Sequence, residues 1–407
     1  MAEPTLIDLF CGAGGISHGF EEAGFRALAG IDWDDDSLAT FRWNHPRAKV
    51  FKVDLASTPP ESLAEYIGIR RGALDCLAGG PPCQGFSRNR AFRHVDGTFI
   101  DDPRNHLYWN FFEYVDYLRP RTVLIENVPE ILIKATGAFQ EAVLERFHEL
   151  GYRAHLKVLN AAEFGVPQHR RRAFFLAGRD GATVNLPQPV AIPGMRAGGR
   201  TPSSARYVRA AANVGFARSL FDTLPVGPSV WESMSDLYGA YATELNGETS
   251  YATPPQTTYQ AARRSNDDFV HNHFRWPLTE RQLQRIRLLG QGQGQLHLPR
   301  ELQTKNGYGS AYRRLQADAQ ALTITTWMFH PGSGMFTHPY DDRVITIREA
   351  ARLQSFHDRY RFLGKYHSQC RQVGNAVAPL VATYLAKSVL TGLNIWDQSA
   401  TTNVVRP

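Results

Sequence analysis

The sequence predicts an α/β domain built on a doubly wound, mostly parallel sheet, interrupted by a smaller and more irregular insert. Three observations carry this. Short apolar runs alternate with amphipathic stretches through the first 180 residues, a glycine-rich turn follows the first run, and after Gly178 the alternation stops until close to the C-terminal end. Strands separated by helices of ten or more residues require right-handed crossovers, and so a parallel sheet.

Residues 5–10 (TLIDLF) read as a buried strand, residues 11–15 (CGAGG) as a turn and residues 16–23 as a helix. Strands are expected at 27–31 and 49–53, with further apolar runs at 73–78, 122–125 and 173–177. Residues 181–215 are rich in Pro, Gly, Ala and Arg, and polar clusters follow at 253–258 (TPPQTT) and 290–295 (GQGQGQ). Residues 346–356 read as an amphipathic helix, and regular structure spans 375–390, a last helix returning to the first. The expected division is a catalytic domain at 1–182 completed by 366–395, an inserted domain at 183–365 and a tail at 396–407.

With 43% hydrophobic residues, the 407-residue chain can bury a sizeable core. Its net charge of +6, carried mostly by Arg, is compatible with a polyanionic partner and equally with an ordinary basic enzyme. Four cysteines stand at irregular spacing without a CxxC pair, which excludes a disulfide framework. There is no basic segment leading an apolar one at the start, and no apolar run of membrane-spanning length. A soluble, cytoplasmic protein with reduced thiols is expected, with no membrane partner and no metal.

Glycines let a backbone approach a ligand closely, and a helix N-terminus adds a favourable dipole. Asp32, about 20 residues past the turn at the end of the next strand, is placed to bind ribose hydroxyls. The Gly12-x-Gly14-Gly15 spacing differs from the dinucleotide fingerprint, which favours a ligand lacking a pyrophosphate; a purely structural turn is the alternative. Cys83 lies in GGPPCQGFS after a strand, at the carboxyl edge where ligands bind in such sheets. A lone cysteine is usually a small core residue. The flanking Pro-Pro and Gly residues argue against a core position and suit an accessible nucleophile. Glu126 ends another apolar strand, where burial would raise its pKa and favour proton donation, although a loop or capping acid would look the same. In QHRRR, strand alternation puts Gln168, Arg170 and Arg172 on one face. An Arg beside Cys83 and Glu126 could hold a carbonyl oxygen or phosphate, whereas an isolated basic run is more often a solvated edge.

In order, DLFCGAGG, GGPPCQGFS, ENVPE, QHRRR, TIREAARLQSF and QVGNAVAP resemble the DNA cytosine-5 methyltransferase family over almost the whole chain. The resemblance implies a Rossmann-like S-adenosylmethionine-dependent methyltransferase with an inserted target-recognition domain. It implies Cys83 as the nucleophile that adds to C6 of cytosine, and Glu126 as the acid contacting N3 and the exocyclic amine. It implies Arg172 on the O2 carbonyl, with Arg170 supporting the site. For the cofactor it implies Asp8, Phe10, Gly12, Gly14, Gly15, Asp32, Trp33, Asp54, Leu55, Pro82, Asn375 (as a helix start) and Val377, with S-adenosylhomocysteine as the product.

The implied substrate is a cytosine flipped out of double-stranded DNA. The Arg-rich segment 85–104, containing Ser87, Arg88 and Arg90, resembles the family's closing loop. Gln168 and the insert's Tyr308, Ser310, Arg313 and Arg314 are the other expected DNA contacts, whether to bases or to phosphates. A tRNA-acting relative usually carries a Cys-Phe-Thr element in its recognition domain, and no cysteine occurs here between Cys83 and Cys370. A catalytically silent DNA-binding relative fits poorly with an intact Cys83, Glu126 and Arg172. His357 departs from the family's pattern, in which a proline commonly follows the Phe of the TIREAARLQSF helix. The chain's short ends suggest a bacterial or phage enzyme, either solitary or paired with a restriction endonuclease acting on the same site, and a monomer is expected.

Overall fold

A computed structural model describes residues 3–82, 106–196, 224–264, 268–305 and 309–393, with only the backbone at 106 and 133–136. The first half is β1 (Thr5–Leu9), α1 (Gly15–Glu22), β2 (Arg26–Asp32), α2 (Asp35–Asn44), β3 (Lys49–Lys52), α3 (Pro60–Ile67), β4 (Cys76–Gly79), α4 (His106–Leu118), β5 (Thr122–Asn127), α5 (Ala138–Glu149), β6 (Arg153–Asn160), β7 (Gln168–His169) and β8 (Arg171–Gly178). Seven strands make one sheet in the order β3-β2-β1-β4-β5-β8-β6. The strands from β3 to β5 are mutually parallel, while β8 runs antiparallel to both its neighbours.

Side-chain alternation sorts the sheet into two buried faces. Ile7, Leu9, Leu77, Val123, Ile125 and Phe175 pack under α3, α4 and α5. Leu6, Ala78, Leu124, Phe174 and Leu176 pack under α1 and the C-terminal helix. The doubly wound architecture is the one expected. β6 was not expected, because its half-buried RAHLKVLN sequence lacks the continuous apolar run of the central strands.

Residues 224–322 contribute α6 (Val230–Met234), β9 (Glu248–Ser250), α7 (Thr258–Arg263), β10 (Phe269–His271), α8 (Glu280–Arg287) and β11 (Ala321–Leu322), with much irregular chain between them. Then follow α9 (Ile347–Leu353), α10 (Tyr366–Asn375) and α11 (Pro379–Gly392). Two features differ from expectation. All seven residues of α9 are buried, so it is not amphipathic. Its charges survive burial because they are paired, Glu349 with Arg343 at 2.7 Å and Arg352 with Asp358 and Asp236. Asn375 ends α10 rather than starting a helix, and Pro379 at the first position of α11 sets the new start. Among the described residues no single helix is long and apolar enough to cross a membrane.

Candidate active site

β1 ends at Leu9, Phe10 with its φ of 56° begins the glycine turn, and Gly12 (φ 52°) and Gly14 (φ 91°) continue it. The glycines serve different ends. A Cβ on Gly15 would lie 2.4 Å from the Val377 carbonyl, and one on Gly14 2.5 Å from the His45 ring, so these two permit packing. A Cβ on Gly12 would meet nothing within 4 Å, which leaves open space over the turn. Asp32 braces that turn: its carboxylate accepts from the amides of Gly12 (2.8 Å), Trp33 (2.8 Å) and Asp34 (3.0 Å). A carboxylate has about four acceptor sites, so room for a ribose hydroxyl remains beside this structural duty.

Asp8 is buried, with one oxygen accepting from the Ser17 hydroxyl at 2.7 Å and Oδ1 without a hydrogen-bond partner. Burial pushes its carboxyl up to about 7, against the Ser17 hydrogen bonds that lower it and with Asp32 adding to the rise. Trp33 is 74% exposed, a platform on which a flat ring can stack. Asp54 is exposed and folds its carboxylate onto the Ala56 amide, while Leu55 and Val377 are buried and Asn375 is exposed. An orphaned buried carboxyl oxygen, an open glycine turn, a ribose-competent acid and a free indole fit a nucleoside carrying a positive centre, as S-adenosylmethionine does.

The catalytic candidates converge because β8 is reversed. Glu126 at the end of β5 pairs in register with Phe174, so the first residues of antiparallel β8 reach the same carboxyl edge. Arg172 Nε stands 2.9 Å from Glu126 Oε1, both side chains largely buried. Burial raises the Glu126 carboxyl, and Arg172 and Arg170 hold back that rise. Arg170 is fully enclosed, donating to the carbonyls of Ile324, Gly374 and Ala376, so it ties β8's approach to the insert and to α10. A Cβ on Gly80 would lie 3.0 Å from Glu126 Oε2, so glycine keeps the path from β4 to the acid clear. Pro82 is partly exposed.

Cys83, Ser87, Arg88, Arg90 and Tyr308 lie outside the described residues. Two expected DNA contacts are corrected. Gln168 is wholly buried, donating to Leu353 and Gln354 and accepting from the Ile324 amide. Arg314 is also buried, donating to the carbonyls of Leu289, His338, Asp341 and Ile286 and to the Asp342 carboxylate. Both are committed to contacts within the protein, Gln168 with the segments around Ile324 and α9 and Arg314 with residues between Ile286 and Asp342. Ser310 and Arg313 are partly exposed.

Sequence reasoning missed two residues. Asn127 donates from Nδ2 to the Pro81 carbonyl at 3.1 Å, fixing the segment that leads into Cys83; its place beside Glu126 at a strand's end was the available signal. Trp327 is 62% exposed just after the strand-like run that ends at Thr325, and nothing in its local sequence separates it from a core residue.

The family profile described as C-5 cytosine-specific DNA methylase matches residues 5–391. The Type II methyltransferase M.AgeI of Thalassovita gelatinovora is 33% identical, over 95% of this chain and 99% of its own. The Type II methyltransferase M1.HphI of Haemophilus parahaemolyticus is 32% identical, over 95% of this chain and 86% of its own. In fold, the chain matches a crystal structure from E. coli, that of a candidate DNA modification methyltransferase encoded within a prophage. The TM-score is 0.72 at 24% identity, covering 96% of this chain and 99% of that one. With the fold, the cofactor turn and the Glu126–Arg172 pair in place, the chain belongs to the C-5 cytosine-specific DNA methylase family and is an S-adenosylmethionine-dependent DNA (cytosine-5-)-methyltransferase.

Proposed function

We propose that the chain methylates a cytosine flipped out of double-stranded DNA, through a covalent bond between Cys83 and C6, within a specific recognition sequence. The observation that carries this is the Glu126–Arg172 pair, buried at the edge where the Pro-Pro segment leads to Cys83. C5 of cytosine is a poor nucleophile until C6 is saturated. The Cys83 thiolate forms an S–C6 bond, the C5=C6 π pair moves to C4=C5, and the C4=N3 pair takes a proton from Glu126 at N3, leaving an enamine. Burial favours that role by raising the Glu126 pKa. Arg172, oriented by Glu126, contacts O2 and neutralises charge there.

S-adenosylmethionine supplies an electrophilic methyl group when bound, held by Phe10, Gly12, Asp32, Trp33 and the segment from Asn375 to Val377. C5 takes the methyl with the C4=C5 pair, the N3 proton returns to Glu126 as C4=N3 re-forms, and the S–CH₃ bonding pair stays on sulfur, giving S-adenosylhomocysteine. The C5 proton then leaves to a solvent base. Its bonding pair restores C5=C6 as Cys83 departs as thiolate.

C6 is shielded in a stacked duplex, which is why the base must be flipped. Residues 183–365 serve as the target-recognition domain inserted into a catalytic domain of residues 1–182 and 366–395. A monomer working in the cytoplasm, alongside a restriction endonuclease of the same specificity, fits this reading and the Type II relatives.

Duplex DNA carrying 5-fluorocytosine tests the mechanism, because fluorine blocks the last proton loss. The wild-type chain should be trapped as a covalent adduct at Cys83, and Cys83→Ser should give neither adduct nor methyl transfer. Retained turnover in Cys83→Ser would overturn the mechanism. Bisulfite sequencing of host DNA should reveal one methylated motif.

A further inference from the structure

On α1, His18 and Glu22 stand one helical turn apart and share a face, as residues at i and i+4 do. The turn after α9 brings His357 onto the same face, its Nε2 2.5 Å from Glu22 Oε1. His18 Nε2 lies 3.5 Å from that same oxygen. One ligand atom from each of the three residues falls within 4.8 Å of the others. His18 is 5% exposed, and its Nε2 is buried without a hydrogen-bond partner. A buried polar nitrogen whose nearest polar contact, the Glu22 carboxylate at 3.5 Å, falls short of a hydrogen bond costs free energy and calls for an explanation.

We propose that His18, Glu22 and His357 form a binding site for a divalent transition-metal ion of the zinc class, clamping the cofactor-bearing helix α1 to the segment that follows α9. Two imidazoles and one carboxylate, with a fourth position left for water, form a donor set that zinc accepts and that calcium or magnesium does not favour. Tetrahedral bonds of about 2.0–2.2 Å place ligand atoms roughly 3.3 Å apart, so small side-chain rotations would seat an ion. The surroundings suit such a site. The His18 ring packs against Phe356 and Tyr360 at 6.2 and 4.8 Å, and the Thr383 hydroxyl on α11 donates to the second oxygen of Glu22 at 3.4 Å.

Its ligands sit on α1 and after α9, whereas Glu126 and Arg172 are carried by β5 and β8, so its role is to fix the helix behind the glycine turn and not to act on substrate. It departs from the expectation of a metal-free protein, and it gives His357 a purpose at a position where the family's pattern commonly has proline.

The test uses the untagged full-length chain, stripped with EDTA and titrated with Co²⁺ as a spectroscopic probe. One Co²⁺ per chain with tetrahedral d–d absorption is expected, and Zn²⁺ should displace it and raise Tm. His357→Gln and Glu22→Gln should each weaken Co²⁺ binding at least about tenfold. His357→Gln should still melt cooperatively and methylate DNA without added metal, and His148→Gln, on α5, should bind Co²⁺ as the wild type does. Absence of the absorption, its persistence at equal affinity in both site variants, or its loss in His148→Gln would overturn the proposal.

Discussion

Arg172 and Glu126 meet across 2.9 Å because the strand that begins with Arg171 runs antiparallel to the strand that ends at Asn127. A parallel strand would carry its first residues to the far edge of the sheet. The pairing keeps a guanidinium oriented, and its charge restrains a carboxyl that burial drives upward. Glu126→Gln keeps the shape but removes the proton donor, so single-turnover methyl transfer should fall about 100-fold or more. Cofactor binding should be unchanged by calorimetry. A rate within a few-fold of wild type would remove Glu126 from the mechanism.

Adjacent arginines in the insert separate structure from recognition. Arg314→Ala frees the Asp342 carboxylate and strands four backbone carbonyls that the guanidinium now satisfies. Asp342 is exposed and returns to water, so the loss in denaturant unfolding comes from the buried carbonyls and is expected at about 1–3 kcal/mol, the cost of leaving buried acceptors unsatisfied. Arg313 is partly exposed, and its Nε has no hydrogen-bond partner. Arg313→Ala should leave stability within about 0.5 kcal/mol while weakening DNA binding and reducing the salt-dependence slope by about 0.9. Unchanged DNA affinity in Arg313→Ala would exclude it as a contact.

These two residues also mark the limit of what the sequence discloses. The central sheet was legible because its strands are buried on both faces and read as continuous apolar runs. The acid and the glycine turn were legible because each sits where such a run ends, and the arginine because it sits where one begins. Arg313 and Arg314 are indistinguishable in sequence, because long-range partners decide their fate: Leu289 and Asp342 lie far from Arg314 along the chain. Gln168 misled for the same reason, since its partners come from the distant segment around α9. The amphipathic reading of α9 failed because Arg348 and Arg352 look solvent-facing until Asp236 and Asp358 are brought beside them.

The glycines of the turn should fail in different ways. Gly15→Ala drives a methyl into the Val377 carbonyl, which must move backbone, so Tm should drop sharply with or without cofactor. Gly12→Ala meets no atom, and only the positive φ opposes it. Its expected stability loss is about 1–2 kcal/mol, with weakened S-adenosylmethionine binding as the larger effect. Equal loss of cofactor affinity and stability in the two variants would show that the open space over Gly12 is not the cofactor's.

Asp8 gives the enzyme a titration that can be isolated. Its carboxyl is raised from 3.8 to about 7, chiefly by burial, while Ser17 hydrogen bonds oppose the shift. Between those values the folded chain keeps a proton that the unfolded chain has released. Stability therefore falls as pH rises through that window, levelling off above about 7. At about 1.4 kcal/mol per unit, the effect is on the order of 4 kcal/mol at most. Asp8→Asn keeps the Ser17 contact and cannot ionise, so its stability should lack this slope. Urea unfolding at pH 4, 5.5 and 7 should show the variant gaining on the wild type as pH rises, with all other titrating groups cancelling in the difference. Parallel pH profiles would mean that Asp8 stays ionised in the folded protein. Its unpaired Oδ1 would then have to be met by water or cofactor, because a buried carboxylate does not persist without compensation.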